Sequence, residues 1–596
     1  MSAALAGAPR LGLLLTVLVS AVLAGGCVSV PDGGPVHDGP RAVAGDEEPL
    51  QRQIDALGPV EDADPATIVR GYIAAMRAQP ASPGVVREFM TDEAAGRWRP
   101  DAGTAVYEGS PTLRVGSAGV VRLTADQIGS LDRRGSWATT RGDATDFERQ
   151  LRLVEVDGQW RIANPPQGTL VAHDVFNRNY RPYTLYFFDS TSKILVPDQV
   201  YLPDADQTAT LLLRGLVSGP TERMAGTLDS YVPASTNPRV SVRVDDDNGL
   251  ATVAFGPEVG GYDADQRRLL AAQLTWTLDQ VTKIRSIRVT SDGAPVTLVD
   301  RESVMDAKGD PIYDPADPGA SRALFALQGR RVVTVKDGKV EPVSGVLGSG
   351  GIPVDAYAVD RDGRRVAAVT GGRVRVGRLT DDGPALETWF TEGVDLIRPQ
   401  WDFFGLLWVG DRTPDGSALF TMRDGEWQAA IVADGPGRPV DIRAFAVARD
   451  GARIAVVDGA GSNSRLLVGR VVRPSSGDDP LRVDRWREVV TPVTRLTEFR
   501  DLAWASPTEL AVIARRGSDG AQPFTVDIDG SEVLAPSLVD FTAVSIAESP
   551  SGVPTVVAAD DGELYSQTEN AQTQERWTTY VSDPAQERLT QPSYVE

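Results

Sequence analysis

The side chains that could carry covalent, metal or acid–base chemistry are few in kind: one cysteine, two histidines, and 82 Asp and Glu in 596 residues. A thiolate site needs company. With Cys27 as the sole thiol, an internal disulfide and a multi-thiolate metal centre are both excluded. His37 lies in the stretch GPVHDGP with no ligand residue beside it, which leaves His173 as the one histidine able to serve as a base. The spacings H-E-x-x-H, G-x-S-x-G and G-x-x-x-x-G-K-[ST] do not occur. The acidic run Asp245-Asp246-Asp247 has no closing Glu of the kind a calcium loop uses, and Asn248-Gly249 after it marks a hairpin tip. Pairs of carboxylates able to cleave a glycoside remain open, because 82 acids always offer candidates and only a fold can bring two together. The expectation is a non-enzyme without metal or cofactor.

Cys27 finds its chemistry in what precedes it. After Arg10, residues Leu11 to Ala24 are small and apolar, and the run ends Leu23-Ala24-Gly25-Gly26-Cys27. That is too short for a bilayer core, which takes roughly 20 helical residues, and suits the apolar region of a signal peptide. The segment resembles a bacterial lipobox, although Ala24 stands where Leu is usual and Leu23 sits one place early. The resemblance implies cleavage between Gly26 and Cys27, with S-diacylglycerol and an N-terminal acyl chain on Cys27. Two such signals make a stable anchor. The other reading is an ordinary secretory signal with an incidental thiol. No later run reaches 18 apolar residues, so the covalent lipid is the expected link to the cell membrane, on its extracytoplasmic face.

The charge balance excludes another class of partner. With 60 Lys and Arg against 82 acids, the net charge of −22 argues against nucleic acid, which requires a basic face. Only five of the cations are Lys, a skew that points to a GC-rich bacterial source.

The elements behind the anchor divide into a signal peptide over 1–26, a flexible Gly/Pro/Asp/Glu-rich tether over 27–60, and three folded units. The first, 61–172, opens with Asp64-Pro65 as helix cap and first turn, followed by Ile68, Val69, Tyr72, Ile73 and Met76 on one helical face. Strand-like runs follow at 119–123, 136–141 and 148–163, the last folded at Asp157-Gly158. Helices followed by a curved sheet ending in DGQWRI are similar to the nuclear-transport-factor-2 (NTF2-like) α+β cone.

The second unit, 173–305, reads as strand (183–188), helix (207–217), hairpin about Asn248-Gly249, long helix capped by Asp263, and strand (284–290). Its wording, LLRGLVSGP through VRVDDDNGLATVAF to IRSIRVTSDGAPV, is similar to the GerMN domain of bacterial germination and envelope proteins. The third unit, 318–596, repeats strand–turn–strand elements at 357–369, 401–409, 445–457, 504–513 and 544–557, with a pair at 323–335. The turn glycines Gly363, Gly405 and Gly451 recur at the roughly 40–45-residue period of a β-propeller, here of about six blades. Aromatics at the blade starts are expected to be core.

Lipobox, NTF2-like unit, GerMN unit and propeller in this order resemble the actinobacterial lipoprotein LpqB family. The resemblance implies an accessory role beside the MtrA/MtrB two-component system: contact with the extracytoplasmic domain of an MtrB-like sensor histidine kinase, modulating signalling in envelope homeostasis and cell division. Only Cys27 transfers as a functional residue. The alternative is an envelope glycan-binding or glycan-hydrolysing propeller, which should show exposed aromatics and paired acids at one mouth.

Overall fold

The computed structural model describes residues 57–595, apart from 78–82, 141–145, 204, 206, 235–240, 300–301, 317–320, 337, 380–385, 415, 475–478, 536–538, 550–551, 571–572 and 582–586. It is multidomain, with two α+β units followed by an all-β propeller.

In the first unit the Asp64 carboxylate accepts from the amides of Ala66 and Thr67, and so starts helix α1 (Pro65–Ala75) at the expected place. Short helices α2 (Pro83–Glu88) and α3 (Asp92–Arg97) follow. The sheet comprises β1 (Thr104–Val115), β2 (Val120–Leu131), β3 (Trp137–Thr139), β4 (Asp146–Val156), β5 (Gln159–Ile162) and β6 (Thr169–Ala172). Its order is β5-β4-β2-β1-β6, with β3 on the end of β2. All pairings are antiparallel except β1 with β6. Register shifts in β1 after Val106 and after Glu108 curve the sheet around Ile68, Val69 and Tyr72 of α1, all buried. Asp157 and Gly158 both hold the positive φ that a two-residue hairpin requires.

Helix α4 (His173–Asn179) leads into the second unit. Here β7 (Tyr180–Asp189) pairs along its length with β8 (Leu195–Pro203), and β9 (Leu228–Asp229) adds to the other edge. Helix α5 (Thr208–Val217) buries Leu212, Leu213 and Leu216. The expected hairpin is β10 (Val242–Asp245) with β11 (Leu250–Phe255), turning at Gly249 with φ 71°. Helix α6 (Ala264–Leu278) begins in a capping box formed by Asp263 and Gln266. It returns the chain to β12 (Ser286–Ser291), parallel to β11, with β13 (Ala294–Val296) and β14 (Met305–Asp306) beside β12. The order expected from sequence is therefore corrected by the short strands β9, β13 and β14, of two or three residues each, and by one long insertion, β8. Seven of its nine residues are buried, so it carries no alternation to betray it.

The propeller has six blades. The innermost strands of blades 2 to 6 are Ala356–Val359, Gln400–Trp401, Ile442–Val447, Leu496–Ser506 and Ala543–Ala547. Blade 1 closes the ring: its innermost strand is the last in the chain, Leu589–Tyr594, paired with Leu324–Gln328. The pair at 323–335 therefore forms the second and third strands of its blade, not the first two. Trp401, Phe445 and Trp504 are buried where the blades begin, as expected of core residues.

Candidate functional site

Gly26 and Cys27, the tether and His37 lie outside the described residues. Of the other residues singled out from sequence, the Asp245 carboxylate accepts from the Asp247 amide at 3.0 Å and from Asn248 Nδ2 at 3.0 Å, which closes the hairpin tip. His173 Nδ1 lies 2.8 Å from Glu108 Oε2, and its Nε2 lies 3.2 Å from Asn177 Nδ2. That ties the start of α4 back to β1.

Several acids in the propeller have a repeated structural duty. In the turn after the innermost strand of blades 2, 3 and 4, Asp360, Asp402 and Asp450 accept from backbone amides two to five residues on, at 2.8–2.9 Å. Their second oxygens take Arg365 Nε at 2.9 Å, Trp408 Nε1 at 3.0 Å and Arg453 Nε at 3.0 Å. The positive-φ glycines Gly363, Gly405 and Gly451 complete these turns.

The same turns line a recess open to solvent at one mouth of the propeller, with Trp401, Phe403, Arg449, Trp504 and Glu548 in its wall. Arg449 Nη2 donates to Ser549 Oγ and to the Val595 carbonyl, both at 2.9 Å, so it fastens blades 4 and 6 to the closing strand. Burial pushes Glu548 up to about 7, and its carboxylate accepts from Thr555. The other acid in the wall, Asp402, is bound by Arg473 at 2.7 Å. Trp401 and Trp504 are 2% and 5% exposed, so among the described residues of this recess there is neither a free acid pair nor an open indole platform.

The second polar cluster is one that sequence reading did not find. It lies where all three units meet. Tyr201 of β8 is packed against Phe176 and Trp137, with ring centroids 5.5 and 6.2 Å away. Its hydroxyl reaches blade 5, donating to Asp527 Oδ2 at 3.0 Å and touching Ser531 Oγ. Ser531 Oγ lies 2.8 Å from Asp527 Oδ2 and 2.5 Å from Asp529 Oδ1. Thr139 of the first unit donates to the Asp529 carbonyl at 2.7 Å. Asp527 and Asp529 are 9% and 8% exposed, and burial first, then the Asp529 charge, pushes Asp527 up to about 7. Burial also raises the Tyr201 phenol, so it stays a donor.

Further bonds brace this joint. Arg134 of the first unit pairs with Asp198 of β8 at 3.0 Å. Burial raises the Asp198 carboxyl and Arg134 opposes it. Arg470 in blade 4 grips Asp484 with two nitrogens and donates its third to the Ala225 carbonyl at 2.8 Å.

Comparison with known proteins follows this division into units. Residues 58–177 match the family "Lipoprotein LpqB, N-terminal domain", 184–297 match "Sporulation and spore germination", and 330–594 match "Lipoprotein LpqB beta-propeller domain". The lipoprotein LpqB of Streptomyces avermitilis is 31% identical over 91% of this chain and 93% of its own. This chain belongs to the lipoprotein LpqB family. Another LpqB, from Mycobacterium tuberculosis, is 30% identical over 93% of this chain and 94% of its own. Among solved structures, TolB from Acinetobacter baumannii aligns with 70% of the chain and 99% of its own length at 12% identity and a TM-score of 0.32. The first GerMN domain of GerM from Bacillus subtilis aligns with 21% of the chain and 97% of its own at 25% identity and a TM-score of 0.18. LpqB relatives are thus lipoproteins by name, consistent with a membrane-anchored place in the envelope.

Proposed function

We propose that this LpqB-family chain is a non-enzymatic lipoprotein, held at the extracytoplasmic face of the cell membrane by lipid on Cys27. There it binds the sensor domain of an MtrB-like histidine kinase and modulates two-component signalling in envelope homeostasis and cell division. The observation that carries this reading is the family membership itself, which runs through all three units in order. A lipid anchor confines the protein to the plane of its receptor and raises its effective concentration there. Binding shifts the kinase to the extent that one signalling state is bound more tightly than the other.

The glycan reading has less support, because the two acids at the mouth already serve Arg473 and Thr555 and the indoles beside them are buried. Replacing the anchor tests the proposal: Cys27→Ala should release a folded protein from the membrane fraction and weaken kinase output several-fold. Normal output from a strictly soluble variant would overturn it.

A further inference from the structure

The joint between the units has too few protons for its oxygens. Four oxygen–oxygen contacts of hydrogen-bond length connect Tyr201, Ser531, Asp527 and Asp529. The hydroxyls of Tyr201 and Ser531 supply two protons between them. Gln199 Nε2 donates to the Tyr201 oxygen at 3.0 Å, which uses an acceptor site there without adding to the four contacts. With both carboxylates ionised, two contacts are lone pair against lone pair. One proton on Asp527 fills a third.

The charged and titratable groups facing the cluster can be named for each element. On the blade 5 turn are Asp527, Asp529 and the exposed Glu532. Glu509, on the neighbouring strand of that blade, adds negative potential at Asp527. Arg487 of blade 4 donates to the Ile528 carbonyl in the same turn. Tyr201 comes from β8, and the first unit contributes the neutral Thr139. Backbone packing leaves the turn little room to rearrange: Gly530 has φ 78°, and a Cβ there would lie 2.2 Å from the Val490 carbonyl oxygen and 3.1 Å from Thr139 Oγ1.

We propose that this joint is a proton-closed latch, in which one proton on Asp527, hydrogen-bonded through Ser531 to Asp529, clamps blade 5 to β8 and the first unit, and whose loss loosens the units from one another. The neutral carboxyl donates to Ser531 Oγ, Ser531 donates to Asp529, and Tyr201 donates across the unit boundary to Asp527. When the proton leaves, two anions face each other in a site where water is scarce, and the cross-unit contacts are what yields. The raised Asp527 places this change near neutrality. The latch does not depend on the identity of any partner and stands or falls apart from the kinase reading.

Hydrogen exchange of the acylated full-length protein in detergent, corrected for intrinsic rates and followed from about pH 5.5 to about pH 8, tests it. Local exchange is the appropriate readout because Glu548, at the propeller mouth, has a pH response of its own. Segments 133–139, 196–203 and 524–533 should lose about tenfold protection as pH rises, while the closing strand of blade 1 stays level. Asp527→Asn supplies a permanent N–H in place of the proton and should flatten the profile. Asp529→Asn removes the charge that helps keep the proton on Asp527, so the loss of protection should move to lower pH, and a shift to higher pH would contradict the latch. A level profile in the unaltered protein, or a slope that Asp527→Asn leaves in place, would overturn the latch.

Discussion

The propeller ring and the joint beside it are both buried, yet they are held by different means. In the ring, the closing strand sets Leu589, Tyr594 and Val595 into apolar surroundings with Leu324, Ala326 and Phe325, and the backbone ladder joins the two ends of the domain. In the joint, the contacts that cross between units include Tyr201 to Asp527, Thr139 to Asp529, Arg134 to Asp198 and Arg470 to Ala225. Apolar burial is insensitive to pH and adds up with area. Buried polar contacts add little net stability when complete and cost much when one partner or proton is missing. The ring is therefore suited to permanence and the joint to adjustment.

Cutting the ring should have the largest effect. Removing residues 589–596 exposes the partners of three buried apolar side chains and leaves blade 1 without its inner strand, a loss of about 5 kcal/mol. Cooperative melting of the propeller by circular dichroism should disappear. Next, Gly530→Ala puts a Cβ against the Val490 carbonyl at a positive φ and should destabilise by about 2–4 kcal/mol, read from a denaturant midpoint. If the joint were loosely packed this variant would be silent.

The pH response is smaller and has a definite sign. Asp527 is pushed up to about 7 in the folded chain against about 3.9 when unfolded, so the folded state binds more protons between those values. Stability should fall as pH rises from about 4 to about 7 and level off above, and Asp527→Asn should make the melting profile flatter. The smallest effect belongs to the exposed i,i+4 pair of Glu93 and Arg97, 2.9 Å apart, where Glu93→Ala should cost less than about 0.5 kcal/mol.

What was legible in the sequence follows the same division. Asp64 and Asp263 announce their helices because a cap is a local bond. The blade hairpins show themselves because Gly363, Gly405 and Gly451 sit where the turn demands positive φ. Strand β8 was hidden, since a strand buried on both faces and carrying Pro197 and Pro203 lacks the period of two. So was the closing strand, whose partner lies more than 250 residues away and which carries Pro592. The joint was illegible for the same reason: DIDGSE reads as an ordinary hairpin turn, and the tyrosine that gives it meaning stands 326 residues earlier. The one available signal was two acids and a hydroxyl alternating along one turn, a pattern that in most proteins is solvated.

Partnership with a sensor kinase is tested most directly by recovering the partner. The C-terminally tagged, acylated protein is purified from detergent-solubilised membranes and what accompanies it is identified by mass spectrometry. A sensor histidine kinase should co-purify with the intact protein and be lost when the kinase's extracytoplasmic domain is deleted. Recovery of cell-wall fragments without a kinase, or of a kinase that persists after that deletion, would contradict the partnership.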